Sequence, residues 1–339
     1  MLFSYFSIFL CLIIIPFSLA NNNKIFSNFL FLILLIFIFF TIGLNSQNQD
    51  YKAYVDIFSD PYGYSEIGYV YLIEVLKILG FETHRSVLFV LASLIVYTLL
   101  RIYRYTFYFG YFLIFYIIFL FPLDVIQIRN TFAVFIFLNS VLFLYEKRYL
   151  YFFIALIISV LFHSFAFSFV LLLLISLFLR GKKRYYKVFL LLILFLFLMQ
   201  FASILNIRNL NVYFSDGKLS SVIIWGFIVI TFLIMAHYLI LNKKTLEKIA
   251  DKKLLDLTYL LYLIILASVV LTPALYIFYE FNRLYRLVFL LMIIFVSALF
   301  KYMKLSVKLI FVFYFLVVFS LFGLYYSSEL NYDWILFGL

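Results

Sequence analysis

Twelve apolar segments of 14 to 21 residues, separated by turns that hold most of the charge, constrain what this chain can fold into. They cover 2–20, 25–44, 86–103, 107–122, 131–145, 149–162, 165–179, 188–205, 222–241, 254–271, 284–300 and 305–325. A helix of about 20 residues crosses a hydrocarbon layer about 30 Å thick, and inside that layer each backbone N–H and C=O must be satisfied within the protein. The predicted fold is all-α: a polytopic transmembrane helical protein of about 12 spans, forming one integral membrane domain over 1–339. Composition removes the alternative. With 68% hydrophobic and 12% charged residues, the chain lacks the side chains to cover a soluble surface, for which about 25% charged is usual.

The basic residues orient the bundle. If alternate turns face the cytoplasm beginning with Lys24, 18 of the 26 Lys and Arg fall inside, in clusters such as Arg180–Lys187 and Lys243–Lys253. This satisfies the positive-inside tendency with both termini outside. A break at His163 is required. Without it, Arg180–Lys187 and Lys243–Lys253 would both fall outside, on the face opposite Lys147 and Arg148. The first segment ends in small residues but has no basic start, so a retained helix is expected rather than a cleaved signal. The single cysteine, Cys11, excludes an internal disulfide, and the +11 net charge requires no nucleic-acid partner.

The longest polar stretch, 45–85, is expected outside the cytoplasm. Pro61 and Gly63 mark a turn, and Ile67–Leu79 follows with helical spacing interrupted by Glu74 and Lys77. It is too short and too charged to span, so an amphipathic helix at the interface is predicted. Asp56 and Asp60, at i and i+4, are expected to share one helical face.

The stretch from Gln127 to Phe167 reads as a helical hairpin about the turn Glu146-Lys147-Arg148. Arg129 lies 18 residues before Lys147 and His163 lies 16 after it, so antiparallel arms bring both to one depth at the open end. A snorkelling arginine or a packed histidine would account for either alone. A permanent cation beside a titratable imidazole at a membrane face instead points to chemistry on an anion, and Asp124, five residues before Arg129, is the nearest acid in sequence. Arg283 and Arg286, at i and i+3 before another span, share one face and form a second candidate anion clamp. His84 and His237 do not fall opposite His163, so a zinc site is not expected.

These residues also carry a resemblance. Asp50, Tyr54 and Glu66-Ile67-Gly68-Tyr69, before a helix ending in Leu79-Gly80-Phe81, resemble the first-loop region of the EpsG family of Wzy-like polymerases, with Ile67 where that family commonly has Pro. Ile128-Arg129-Asn130 with Phe132-Ala133 resembles its arginine motif, with Asn130 where that family usually has Gln, and Phe162-His163 with Ala166 resembles its Phe-His motif. Asn282-Arg283 with Tyr285 resembles a later one.

The resemblance implies a polysaccharide polymerase of GT-C-like architecture in the bacterial cytoplasmic membrane. It would transfer a polyprenyl-pyrophosphate-linked glycan chain onto a lipid-linked repeat unit at the outer face, without metal or cofactor. The implied catalytic residues are His163, Arg129 and Arg283, and the implied substrate-binding residues are Arg286, Asp56, Asp60, Glu66, Tyr69, Gln127 and Asn130. Implied partners are the lipid-linked oligosaccharide donor and acceptor, membrane lipid and a chain-length regulator protein. A flippase or other secondary transporter of lipid-linked oligosaccharide is the competing reading. Related halves, or ionisable groups near mid-membrane, would favour it.

Overall fold

The computed structural model describes residues 24–46, 50–63, 66–106, 108–181, 183–204, 219–241, 251–276 and 282–326. Every regular element among them is helical. In order they are α1 (Lys24–Gly43), α2 (Tyr51–Ser59), α3 (Ile67–Ile78), α4 (Arg85–Tyr105), α5 (Phe109–Phe119), α6 (Phe121–Ile126), α7 (Ile128–Tyr145) and α8 (Tyr149–Phe162). Then come α9 (Phe167–Phe178), α10 (Arg184–Ile204), α11 (Leu219–Leu241), α12 (Lys252–Leu271), α13 (Asn282–Leu299) and α14 (Leu305–Tyr326).

Five stretches among the described residues are long and apolar enough to cross a membrane: Arg85–Tyr105, Ile128–Tyr145, Ser221–Ile240, Lys252–Leu275 and Arg283–Tyr302. Shorter apolar helices cover Asn28–Gly43, Tyr149–Phe162, Ser164–Phe178 and Leu305–Val318. The expected first span, 2–20, lies outside the described residues.

Two expectations change. The segment 107–122 is not one continuous helix: α5 gives way to α6 at Leu120. Pro122 in the first turn of α6 explains the interruption, because it supplies no N–H to continue α5. The loop 45–85 holds two helices rather than one, and α2 stops at Ser59. Asp60 is therefore the extended cap of α2 (φ −128°, ψ 90°) and not part of a helical carboxylate face with Asp56. The break at His163 is present. Its backbone is extended, and a 3-10 turn over Ser164–Ala166 precedes α9.

The chain divides into two compact units, Met1–Ala166 with Val296–Leu339, and Phe167–Phe295. In the first, α7 is the central element. Thirteen of its 18 residues are buried, on every side of the helix. In α8, by contrast, Tyr149, Leu150, Phe153, Ile154, Ile157 and Leu161 are exposed, as lipid-facing side chains would be.

Small residues let the two arms approach: Ala133 on α7, and Ala155 and Ser159 on α8, are all buried. The Ser159 hydroxyl donates to the Ala133 carbonyl at 2.8 Å and fixes the register of the hairpin. One turn outward from that bond, Arg129 and His163 come opposite one another.

At the turn end, α4 is tied to α7 by a buried polar network. Arg101 donates to Asn139 (2.6 Å) and to Glu146 (2.7 Å), and lies over the Phe143 ring at 4.2 Å. Asn139 donates to the Thr98 hydroxyl at 2.6 Å, and Tyr105 donates to Glu146 at 2.8 Å. Burial pushes the Glu146 carboxyl up, but the Arg101 and Tyr105 hydrogen bonds outweigh it and hold the group below its ordinary value.

In the second unit α10 and α11 pack on α12, and so does α9. Arg184 lies over the rings of Tyr185, Tyr259 and Tyr262, and the Tyr185 hydroxyl meets His237 Nδ1 at 2.6 Å.

Candidate functional site

Glu66 caps the start of α3, a position that favours short side chains able to bond the first free N–H groups. Its carboxylate makes no such bond and reaches away from the helix. Oε2 accepts from the Arg129 guanidinium, and Oε1 lies 3.2 Å from His163 Nδ1. One carboxylate thus joins the two residues at the open end of the hairpin. Side-chain exposures of 10%, 11% and 28% for Glu66, His163 and Arg129 place the cluster under the surface, with the guanidinium the most open to a ligand.

An ionised carboxylate that already accepts from arginine can only accept from the ring. Nδ1 of His163 therefore carries the proton, and Nε2 is the basic nitrogen.

Gly68 places α3 in reach. A Cβ there would lie 2.8 Å from the carbonyl carbon of Leu161, 2.9 Å from its oxygen and 3.0 Å from Phe162 N. Two backbones are packed against each other at this point, which only glycine permits. Glu66 sits two residues before this contact and His163 two residues after it.

Tyr69 fastens the other side of α3. Fully buried, it meets the Phe132 ring edge-on at 6.5 Å and places its hydroxyl 3.3 Å from His84 Nε2. The His84 ring stacks on Tyr54 (5.8 Å, 9°) and is met edge-on by Tyr51 and Phe58. Tyr54 in turn presents its ring to Arg129, with the guanidinium carbon 5.8 Å from the centroid. Burial pushes the hydroxyl of Tyr54 up, against the pull of the Arg129 charge, and pushes that of Tyr69 well up. Burial lowers His84 to about 4, so its imidazole is neutral at physiological pH.

The remaining candidates have different settings. Asp124, the acid nearest Arg129 in sequence, is buried and accepts from the Tyr116 hydroxyl (2.8 Å) and from Thr131 (3.3 Å). It anchors α5 to α7, and the ion-pair partner of Arg129 is Glu66. Asp56 and Asp60 are exposed and make no ion pair among the described residues. Gln127 caps α7 through its carbonyl, which accepts from the Thr131 hydroxyl at 3.0 Å. Asn130 is buried beside Arg129, and its amide has no hydrogen-bond partner among the described residues.

Arg283 and Arg286 lie in the first two turns of α13, in the second unit, half-buried and buried respectively. Between them the Tyr285 hydroxyl donates to Thr272 (2.7 Å), and its ring stacks on Trp225 at 4.6 Å.

Sequence reading placed Arg129 and His163 together but missed Tyr54 and His84 as walls of the site. Their signal was an aromatic series at helical spacing, Tyr51, Tyr54 and Phe58, facing a histidine at the end of the same loop.

Helices long and apolar enough to cross a membrane, with an acid–arginine–histidine cluster at one end of the α7–α8 hairpin, define an all-helical membrane protein. The chain belongs to the EpsG family, whose description it matches over residues 28–336. This is a family of Wzy-like polymerases and places the chain in polysaccharide biosynthesis. No curated protein and no solved structure matches it.

Proposed function

We propose that the protein is a glycosyltransferase that polymerises lipid-linked repeat units at the outer face of the bacterial cytoplasmic membrane, on a twelve-span GT-C-like scaffold. The observation that carries this reading is the meeting of Arg129 and His163 on one carboxylate. An acceptor hydroxyl attacks the anomeric carbon of a sugar linked to polyprenyl pyrophosphate. The new glycosidic C–O bond forms as the bond from carbon to pyrophosphate oxygen breaks, and polyprenyl pyrophosphate leaves with the bonding electrons.

Arg129 stabilises the charge growing on that oxygen. A preorganised guanidinium in a partly dehydrated site does this through fixed, charge-assisted hydrogen bonds, so the scheme uses no divalent ion. The hydroxyl proton passes to His163 Nε2, the nitrogen made basic by the bond of Nδ1 to Glu66. Arg283 and Arg286, in the second unit, are a separate candidate clamp for an anionic group. The polyprenyl chains lie along the apolar helix faces, and a chain-length regulator protein binds elsewhere on the bundle.

The test is Arg129→Lys in otherwise intact cells. A lysine keeps the charge but not the planar fork, so long surface polymer should fall at least about 10-fold, with single repeats accumulating on the outer leaflet. Polymer of normal length and amount, from a variant present at normal levels, would sink the proposal. Repeats trapped on the inner leaflet would favour a flippase.

A further inference from the structure

Glu66 poses a problem for the mechanism just described. The guanidinium assigned to the substrate pyrophosphate already holds a carboxylate, which offsets its attraction for an anion. Seating a pyrophosphate beside an ionised Glu66 would also bring like charges together where water screens them poorly. The geometry resolves both difficulties, because the two oxygens of Glu66 have separate partners. Oε2 serves Arg129 and Oε1 serves His163. Losing the first contact does not require losing the second. Glu66 also makes no capping bond to α3, so its side chain can turn without uncoiling the helix.

We infer that Glu66 is a positioning residue that occupies the phosphate-binding face of Arg129 in the resting enzyme and yields it to the donor pyrophosphate, while keeping its bond to His163 Nδ1. This rests on the polymerase reading above. The exchange has two consequences. Arg129 is held in place and neutralised until a substrate anion arrives. Once Glu66 leaves Arg129, its negative charge acts on the imidazole alone, which makes Nε2 a stronger base when the donor is bound. Base activation is thereby coupled to donor binding, and an acceptor hydroxyl or water entering first meets a weaker base.

The exchange predicts an unusual pairing: a variant that binds the anion better and catalyses worse. The experiment measures binding of inorganic pyrophosphate to the purified full-length protein by calorimetry, alongside surface polymer in cells carrying the same variants. Glu66→Gln should bind pyrophosphate at least about 10-fold more tightly than wild type, through Arg129, while polymer falls at least about 10-fold. Glu66→Asp separates displacement from a simple field effect. It retains the charge but is one methylene too short to span both partners, so it too should bind more tightly, by about 3-fold or more. Damage to the fold would weaken binding instead.

Unchanged or weaker pyrophosphate binding in Glu66→Gln would overturn the inference. So would tightening that persists when Arg129→Ala is added, or normal polymer from Glu66→Gln. Should Glu66→Gln fail to fold, Glu66→Asp decides by the same criterion. Failure of the wider reading looks different: Arg129→Lys would then leave polymer intact, whatever Glu66 does.

Discussion

Two residues that touch no substrate set the geometry of the site, and each makes a residue-scale prediction. At Gly68 an added methyl would stand 2.8 Å from the backbone of α8, where contacts between carbon atoms settle near 3.5–4.0 Å. Helix α3 would have to retreat by about 0.5–1 Å. The contact of Glu66 with His163, at 3.2 Å, is already at the long end for a hydrogen bond and would be lost. Gly68→Ala should therefore abolish long surface polymer, with a stability loss of only about 1–3 kcal/mol seen in thermal unfolding; undiminished polymer would show that the close approach is not needed.

His84 makes a prediction about pH. Its ring titrates near 6.5 when the chain is unfolded but at about 4 in its aromatic enclosure. Between these values the unfolded state takes up a proton that the folded state refuses. Stability from this group is thus complete above about pH 6.5 and declines as pH falls towards about 4, by roughly 3 kcal/mol at the end. His84→Gln lacks that loss, so the melting temperatures of the two proteins should diverge at neutral pH and converge or cross near pH 4.5, roughly midway down the transition. Asp50, Glu66 and His163 are common to both proteins and cancel in the difference. Parallel curves would refute the assignment.

At the scale of the element, the helix ends show how far local chemistry can be read. Both α3 and α7 close with the same pair of reversed hydrogen bonds. Gly80 N and Phe81 N donate to Lys77 and Leu76, each at 3.0 Å, while Lys147 N and Arg148 N donate to Leu144 and Phe143 at 3.1 and 2.9 Å. This closure needs a left-handed residue, and Gly80 supplies it at φ 87° without strain. Lys147 adopts φ 61° with a side chain attached. Lys147→Gly should accordingly raise stability by about 1 kcal/mol and Gly80→Ala lower it by about 1–2, a difference in sign that thermal unfolding in detergent resolves.

The turn at Glu146-Lys147-Arg148, the end of α3 and the break at His163 were all readable in the sequence, because each follows from apolar run length and a local punctuation residue. The interruption at Pro122 was equally local and was passed over because the segment around it is uniformly apolar. The identity of the acid beside Arg129 was not readable. Asp124 is five residues away and Glu66 is 63, and only the backbone contact at Gly68 brings the distant one in. Counting along a helix fixes depth, but it does not say how a polar loop folds back over a bundle.

For the whole molecule, α7 rises about 27 Å over its 18 residues, close to the roughly 30 Å of a hydrocarbon layer. An arginine–glutamate pair closes each end: Arg129 with Glu66 at one, Arg101 with Glu146 at the other. Only the first adjoins an imidazole and has an arginine with more than a quarter of its side chain exposed; at the second, Arg101 is 7% exposed and packed on Phe143. The second pair is suited to fastening helices and the first to exchanging partners. The turn between α7 and α8 carries Lys147 and Arg148, which the positive-inside tendency draws to the cytoplasm. In the orientation we propose, the cluster at Glu66 faces away from the cytoplasm, where a polymer leaving the cell would be assembled.

Labelling tests this arrangement directly. In a Cys11→Ser background the chain has no other cysteine. Ser164→Cys adds a thiol at an exposed position next to His163, and Arg148→Cys adds one at the exposed turn. A membrane-impermeant maleimide given to intact cells should modify the first and spare the second, and should reach both after permeabilisation. If position 164 reacts only in permeabilised cells, Arg129 and His163 face the cytosol, and polymerisation at the outer leaflet by these residues is ruled out.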